Sequence, residues 1–294
     1  MRLIVLGSGT NLHPKRAAAG YLVETDHLCL FDFGPRTLMN LVKIGVDRHR
    51  LQHFFFSHYH ADHFSDFITF FFDAVIHATL VGPRPPLTIY GPRGTRRLFM
   101  TMLKEFPSFS PTPFTVRIKE MTDQTIWLGE TRITAGTVVH SSRLHCQGYR
   151  VEYRGKALAY SGDAEYCAGV VRLCQEADVA VLDCSFPAQR PGKGHMTARD
   201  CGRVAQEAGV KRLILSHFYP VAERYNLTGQ ASKEFEGRVA MARDRMRIEI
   251  REAPASPGSG KGAAKYGGAG RVGEIARGHG KNGASRRTGD GRVP

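Results

Sequence analysis

The chain has 294 residues, of which 42% are hydrophobic, 23% are charged and 10% are aromatic, and its formal net charge is +14. This composition is typical of a globular protein and excludes a wholly disordered or fibrous chain. No apolar stretch approaches the roughly 20 residues that a membrane span needs, and the N-terminus shows no signal-peptide pattern, so a cytoplasmic protein without membrane contact is expected.

Short β-like runs alternate with helical patterns throughout residues 1–252. The predicted strands are, in chain order, Arg2–Leu6, Gly20–Val23, Leu28–Phe31, Gln52–Phe56, Leu87–Tyr90, Phe114–Lys119, Thr125–Leu128, Thr131–Thr134, Gly148–Tyr153, Ala157–Tyr160, Val179–Leu182 and Arg212–Leu215. The predicted helices are Pro35–Ile44, Asp62–His77, Arg93–Phe106, Glu165–Gln175, Thr197–Ala208 and Gln230–Ala242. Because hairpin-like pairs mix with strand–helix–strand units, the pattern predicts two sheets with helices packed outside them.

The segment 253–294 differs from the rest of the chain in composition. It holds twelve glycines in 42 residues and carries +6 of the net charge. A segment of this kind buries too little apolar surface to fold, so a disordered basic tail is expected after a single domain spanning 1–252. The tail is compatible with a nucleic-acid-binding arm, a solvated extension or an altered reading frame.

The densest cluster of metal-ligand residue types lies in the heptapeptide Ser57–His63. His58 and His60 are two residues apart, so on an extended segment their side chains project to the same side and can reach one metal. Asp62 and His63 stand where a helix can begin, and the change of backbone direction there aims them at a second metal. Zinc takes imidazole and carboxylate ligands, and a catalytic site keeps one position open for water. The alternative is a solvated polar loop.

Three further candidate ligands, His140, Asp163 and His217, each stand at the end of an apolar strand-like run. Taken singly, each is compatible with a structural role. Because strand ends gather on one face of a sheet, all three are expected to join the first cluster. The combined set of five histidines and two aspartates is enough for two metals that share a bridging carboxylate.

These residues resemble the metallo-β-lactamase superfamily of metal-dependent hydrolases, whose signature HxHxDH is matched in full within Ser57–His63. Within the superfamily, the chain is most similar to the ribonuclease Z group and its small-phosphodiesterase relatives, through Gly7–Thr10, Pro14–Arg16, Phe31–Gly34, Tyr90–Pro92, Gly194–Thr197 and Leu215–Phe218. The resemblance covers nearly all of residues 1–252. It implies an α/β fold of the four-layer αββα sandwich type, with the metals at the sheet edges.

The resemblance also implies a ligand set for two divalent ions, with zinc expected and manganese as the alternative. One metal is assigned to His58, His60 and His140. The other is assigned to Asp62, His63 and His217. Asp163 is expected to bridge the two.

A proton donor is implied as well. The ribonuclease Z group carries a His-Glu-Ala-Thr motif, to which residues 182–185 correspond with Asp183 in place of the glutamate. In the family this carboxylate orients a histidine that protonates the leaving oxygen, and His195 stands at its place. A positioned general acid contributes roughly 10²–10⁴-fold in rate. Asp62, His195 and Asp183 are therefore the expected catalytic residues, although a loop histidine just before a capped helix is the alternative for His195.

Two departures from the family limit what the resemblance implies. Only 22 residues separate His140 from Asp163, whereas ribonuclease Z proteins usually insert there a long arm that grips transfer RNA. The loop at residues 14–17 matches the family only in part. Lys15 and Arg16 in this loop are candidate contacts to a substrate phosphate, with a solvated loop pair as the alternative.

The leading hypothesis is a dizinc phosphodiesterase that cleaves a small or cyclic phosphodiester by attack of metal-bound hydroxide. A ribonuclease Z-like transfer-RNA 3′ endonuclease and a thioester or lactone hydrolase are the enzymatic alternatives. A nucleic-acid-binding module with a structural metal is the non-enzymatic one. RNA is thus a second candidate partner, and a homodimeric assembly stays open.

Overall fold

Two mixed seven-stranded sheets form the centre of the structure, a computed structural model that describes residues 1–11 and 13–251. The first sheet contains β1 Arg2–Gly7, β2 Gly20–Glu24, β3 Leu28–Phe33, β4 His53–Phe55, β5 Leu87–Gly91, β6 Val116–Glu120 and β14 Arg247–Glu249. The second contains β7 Thr125–Leu128, β8 Thr131–Thr137, β9 Gln147–Tyr153, β10 Lys156–Tyr160, β11 Val179–Asp183, β12 Arg212–Ser216 and β13 Arg238–Met241. The helices are α1 Thr37–Lys43, α2 Ala61–Leu80, α3 Thr95–Glu105, α4 Ala168–Cys174, α5 Ala198–Glu207 and α6 Leu227–Ala231.

The two sheets have matching topologies. In the first, the strand order is β14-β1-β2-β3-β4-β5-β6, and in the second it is β13-β12-β11-β10-β9-β8-β7. Each sheet has an antiparallel part, β14-β1-β2-β3 or β7-β8-β9-β10, that continues into a parallel part, β3-β4-β5-β6 or β10-β11-β12-β13. Parallel strands need crossover connections, and the helices that supply them lie on the outer faces.

Side-chain alternation along the strands separates two apolar layers. In β3, Cys29 and Phe31 belong to the core between the sheets, where the ring centroid of Phe31 lies 5.3 Å from that of Tyr149 in the second sheet. Leu30, on the opposite face, belongs to the layer beneath the helices of the first half, and so does Phe33, which follows the left-handed backbone of Asp32 at φ 52°. A strand buried on both faces reads as a continuous apolar run. The predicted four-layer αββα sandwich is therefore confirmed.

Each predicted strand is present, but the predicted helix Gln230–Ala242 is wrong. The structure ends α6 at Ala231 and forms the strand β13 over Arg238–Met241. This strand pairs in parallel with β12, so that Leu213 lies opposite Val239, and its apolar side chains pack on the core between the sheets. Pairing with a buried strand outweighs local helical preference here.

The structure also adds a strand that the sequence pattern did not indicate. In β14, Ile248 is buried and pairs with Leu3 of β1, which returns the chain to the first sheet. The tail predicted at 253–294 lies outside the described residues. None of the described helices combines the length and the apolar character needed to cross a lipid bilayer.

Candidate metal centre

The signature segment enters the centre at the carboxyl end of β4, where ligand sites of open α/β sheets lie. The chain bends at Ser57, and His60, which is extended with φ −73° and ψ 150°, directly precedes the first residue of α2. A Cβ on Gly34 would lie 1.8 Å from the carbonyl oxygen of Asp62. Only glycine therefore allows the turn after β3 to pack against the start of α2, which fixes the position of Asp62.

One group of candidate ligand atoms contains three imidazole nitrogens and one carboxylate oxygen. Nδ1 of His60 lies 3.0 Å from Nε2 of His58 and 3.1 Å from Nε2 of His140. Oδ2 of Asp163 lies 3.7 Å from Nε2 of His58 and 3.8 Å from Nε2 of His140. These are the residues that the resemblance assigns to the first metal, together with the expected bridging residue.

The second group uses the other oxygen of the same carboxylate. Oδ1 of Asp163 lies 3.2 Å from Nε2 of His63 and 3.3 Å from Nε2 of His217. These two nitrogens are 3.2 Å apart. Oδ2 of Asp62 lies 3.5 Å from Nε2 of His217. The structure thus brings all seven predicted ligands together, with Asp163 between the two groups.

The donor atoms fit metal cations. Four tetrahedral ligands at zinc–nitrogen distances would lie about 3.3 Å from one another, which is within the range of the measured separations. Oδ1 of Asp163 is also buried and has no hydrogen-bond partner among the described residues. Leaving a buried carboxylate oxygen unsatisfied is costly, and a cation held by His63, His217 and this oxygen would remove that cost.

Asp32 orients the first of these histidines, and sequence reasoning assigned it no role. Its side chain is fully buried at the end of β3 and accepts hydrogen bonds from Nδ1 of His63 at 2.8 Å and from the Ser57 hydroxyl at 2.7 Å. Because that hydroxyl donates to Asp32, it accepts from Nδ1 of His58 at 3.0 Å. Both histidines therefore present Nε2 to the centre. In the sequence, Asp32 could have been recognised as a carboxylate within the otherwise apolar run Leu28–Phe33.

Asp32→Asn is expected to lower metal affinity by about 10–100-fold, because His63 loses the charged acceptor that fixes its tautomer and strengthens its basicity. Titration of zinc against a competing chelator measures this change. Asp73→Asn is the control, since Asp73 is a carboxylate paired with Arg48 on the outer side of α2. Equal zinc affinities in all three proteins would show that Asp32 does not act through the metal ligands.

The histidines from the second sheet are held in the same way. Nδ1 of His140 donates to the carbonyl oxygen of Gly194 at 2.6 Å. Gly194 has φ +84°, and a Cβ there would lie 2.8 Å from the His140 carbonyl oxygen. Nδ1 of His217 donates to the Ser185 hydroxyl at 3.1 Å, since that hydroxyl donates to Asp183. His217 itself adopts the strained left-handed conformation, with φ 60°.

Charge in the centre is distributed between buried carboxylates and imidazoles. Burial raises the pKa of Asp163, but the neighbouring His217 and His63 outweigh it and hold that pKa well below its usual value. Burial lowers the pKa of His63 and of His217, yet the charge of Asp163 raises both well above the usual value. His58 has the opposite shift, because burial dominates and lowers its pKa.

Metal binding is therefore expected to release protons and to strengthen as the pH rises. The raised pKa values of His63 and His217 favour their protonated forms, and a cation that binds Nε2 of either imidazole displaces a proton. Calorimetric zinc titrations in buffers of different ionisation enthalpy count the released protons. A zinc affinity independent of pH between 6 and 8 would contradict this expectation.

His195 and Asp183 form a pair at the edge of the centre. Nδ1 of His195 donates to Oδ2 of the buried Asp183 at 2.7 Å. The imidazole ring of His195 lies nearly parallel to that of His217, with ring centroids 5.6 Å apart. Burial lowers the pKa of His195, but the charge of Asp183 outweighs it and raises the pKa above its usual value. His195 and Asp183 also come within ligand distance of Asp163 and His217, so the geometry allows either a proton donor or a ligand.

The two residues predicted to contact phosphate differ in their surroundings. Lys15 is exposed. The guanidinium of Arg16 donates to Glu223 at 2.6 Å and to the Ser8 hydroxyl at 2.8 Å, and it lies over the ring of Phe218. A phosphate contact from Arg16 stays a prediction, and it would compete with these contacts inside the fold.

Comparison with known proteins identifies the family to which this chain belongs. Residues 29–218 match the family model described as the beta-lactamase superfamily domain. The chain belongs to the beta-lactamase superfamily. The resemblance inferred from the signature motif is thereby confirmed, and the chain is a metallo-hydrolase of this superfamily.

Relatives within the superfamily match nearly the whole described chain. The probable metallo-hydrolase YhfI of Bacillus subtilis is 28% identical over 83% of this chain and 97% of its own length. Its crystal structure has a TM-score of 0.72 and 26% identity, over 84% of this chain and 98% of that one. A ribonuclease Z of Mycolicibacterium gilvum is 26% identical over 85% of this chain and 96% of its own length. Zn²⁺-bound PqqB from Methylobacterium extorquens shares the fold, with a TM-score of 0.62 and 14% identity over 85% of this chain and all of that one.

Proposed function

We propose that this superfamily member is a metal-dependent phosphodiesterase that acts on a small or cyclic phosphodiester with two divalent ions, zinc being the expected metal. The observation that carries the proposal is the position of Asp163. Its two carboxylate oxygens face separate pairs of imidazole nitrogens at 3.2–3.8 Å. One buried carboxylate between two sets of nitrogens is the arrangement that a pair of cations requires.

We assign the ligands accordingly. The first ion takes His58, His60 and His140, the second takes Asp62, His63 and His217, and Asp163 serves both. Two divalent ions, when bound, supply Lewis-acid stabilisation of phosphate oxygens and an activated water at neutral pH. The zinc-bound neighbour of the same fold supports the choice of metal.

His195 is assigned the proton that the leaving oxygen needs. Asp183 holds the Nδ1 proton, so the proton available for transfer is the one at Nε2, and the raised pKa of His195 favours the protonated form of the imidazole. A departing alkoxide is a poor leaving group, and its protonation lowers the barrier to bond cleavage. Asp183 therefore acts as a positioning residue for His195.

The short interval between His140 and Asp163 favours a small substrate. It contains only a loop, β9, the turn at residues 154–155 and β10, with no long arm to hold a folded RNA. The ribonuclease Z relative supports phosphodiester chemistry and makes precursor transfer RNA the second candidate substrate. A purely structural metal is disfavoured, since structural zinc sites are rich in thiolates and no cysteine belongs to the ligand groups among the described residues.

Parallel turnover measurements test the proposal. We expect the zinc- or manganese-loaded protein to hydrolyse bis(p-nitrophenyl) phosphate and a cyclic nucleotide faster than an acyl thioester. Precursor transfer RNA is assayed alongside them, with the Asp163→Ala variant as the blank for contaminating hydrolases. Absence of phosphodiester turnover with every divalent metal tried would reject the proposal. Cleavage of precursor transfer RNA alone would favour the endonuclease.

A further inference from the structure

A basic cleft opens beside the candidate metal centre. It has a volume of about 360 Å³ and lies between the start of α3 and the loop that follows His140. The side chains that line it include those of Arg93, Arg97, Arg143 and His145, and all four residues are exposed. Its volume is in the range of small-molecule sites.

The cleft shares its walls with the segments that carry the proposed metal ligands. Tyr59, between His58 and His60 in the chain, lines the cleft and donates a hydrogen bond from its hydroxyl to the Thr95 hydroxyl at 2.7 Å. This bond ties the signature segment to α3. Arg143 is three residues beyond His140 on the opposite wall. The cleft therefore adjoins the two segments that carry His60, which is itself exposed, and His140.

The charge of the cleft is unbalanced. Arg93, Arg97 and Arg143 form no ion pair with a carboxylate in the part of the chain that the structure describes. Some exposed arginines elsewhere are paired, as Arg132 is with Glu152 at 2.8 Å, and others such as Arg238 are not, so the distinguishing feature of the cleft is that three unpaired guanidinium groups line one hollow. Neighbouring guanidinium groups without counter-charges create a positive potential that an anion relieves.

The nearest carboxylate is already engaged. Glu120 lies on the adjoining wall, and its Oε1 accepts hydrogen bonds from the backbone N–H groups of Gly94 and Arg96 at 3.0 Å each. It is the single carboxylate among the described residues that line the cleft and its adjoining hollow. The guanidinium groups of the cleft therefore stay available to a ligand.

We propose that this cleft binds a phosphate group of the substrate other than the one that is cleaved. The inference rests on the proposed phosphodiesterase function and narrows it to substrates that carry at least two phosphates. Arginine presents a planar fork of N–H donors that matches phosphate geometry. Arg93, just before α3, and Arg97, in its first turn, line one wall of the cleft, and Arg143 lines the other. The second phosphate belongs either to a small nucleotide or to the backbone of a single-stranded nucleic acid.

Two dinucleotides that differ by one phosphate test the inference. The metal-loaded protein is titrated with thymidylyl-thymidine that carries a 5′-phosphate and with the same dinucleotide lacking it, and binding is measured by displacement of a fluorescent analogue of the phosphorylated compound. Two charge-assisted contacts predict that the phosphorylated dinucleotide binds about tenfold tighter or more. The same pair is then measured in Arg93→Gln/Arg97→Gln and, separately, in Arg143→Gln, where the preference is expected to fall below about threefold.

Arg238→Gln is the matched control. Arg238 is exposed on the edge strand β13 of the second sheet and does not line the cleft. It also forms no ion pair among the described residues. This variant is expected to keep the full preference, which separates the effect of the cleft from a loss of overall positive charge. The melting temperature and metal content of every variant are compared with those of the unmodified chain. If the double variant folds poorly, Arg143→Gln still tests the inference, because Arg143 lies on a different segment.

The outcomes separate this inference from the proposed function. Equal affinities for the two dinucleotides, or a preference that both arginine variants retain, would overturn the inference even if diesters are hydrolysed. A preference that is lost in the variants supports phosphate binding in the cleft even if no diester is cleaved, in which case the proposed function is the part that fails. A single-stranded RNA without a terminal phosphate that binds as tightly as the phosphorylated dinucleotide, and weakens in the same variants, would identify the backbone as the source of the phosphate.

Discussion

Replacing Asp163 with alanine is expected to remove most of the bound metal and the hydrolytic activity with it. This carboxylate is buried between the two ligand groups, and each of its oxygens faces a different pair of imidazoles. Its loss leaves both groups short of their only shared anionic ligand. Removing a group that merely supports a ligand costs about 10–100-fold in affinity, so removal of the shared ligand itself should exceed about 100-fold.

Metal analysis after gel filtration and turnover of bis(p-nitrophenyl) phosphate measure the two effects. Asp62→Ala is expected to nearly abolish activity as well, with the loss of metal confined to the second group, because Asp62 faces only His217 and its neighbours. Asp73→Ala, on the outer side of α2, is the control for a missing surface carboxylate. Two full equivalents of metal and unchanged turnover in both site variants would refute the ligand assignment.

His195→Ala is expected to keep both metals and to lower turnover by about 10²–10⁴-fold for substrates with alkoxide leaving groups. The reason is that the substitution removes a proton donor, while the proposed ligand set stays complete. For p-nitrophenyl esters the loss should be small, because p-nitrophenolate departs without protonation. Rates for an activated and an unactivated diester, measured on the same preparation, give the ratio that decides the role.

Asp183→Asn should show the same pattern more weakly, since it alters the group that orients His195 and leaves the imidazole in place. The ratio of the two rates should shift in the same direction in both variants. Loss of metal from His195→Ala would instead make His195 a ligand, which its closeness to Asp163 and His217 allows. Equal losses for both kinds of diester would make it a structural residue.

The sequence was most informative where metal-ligand residue types stand at the end of a strand or at the start of a helix. The spacing within Ser57–His63 predicted two histidines on an extended segment and an aspartate and histidine at a helix start, and the structure begins α2 at Ala61. His140, Asp163 and His217 were found because each follows an apolar strand. Spacing of this kind survives in the fold because the carboxyl ends of parallel strands meet at one edge.

Contacts between distant segments could not be predicted in this way. The hydrogen bond from His63 to Asp32 joins residues 31 positions apart, and that from His140 to Gly194 spans 54 positions. Nothing local in the sequence indicates either pairing. The wrong helix at Gln230–Ala242 has a related cause, since the strand β13 exists only because β12 offers it a partner. The hydrogen bond from Arg16 to Glu223 likewise joins residues that are far apart in the sequence.

The proposed ligands are drawn from both sheets, and this has a consequence for the stability of the whole domain. His58, His60, Asp62 and His63 follow β4 of the first sheet, whereas His140, Asp163 and His217 follow strands of the second. Bound cations would therefore act as cross-links that fasten the two sheets along one edge, and a cation at a thousand times its dissociation constant adds about 4 kcal/mol to the free energy of unfolding. A chain that has formed only one sheet offers an incomplete ligand set. Metal retention thus discriminates fully assembled molecules from half-folded ones, and a chelator should lower the melting temperature of the entire sandwich rather than loosen a single loop.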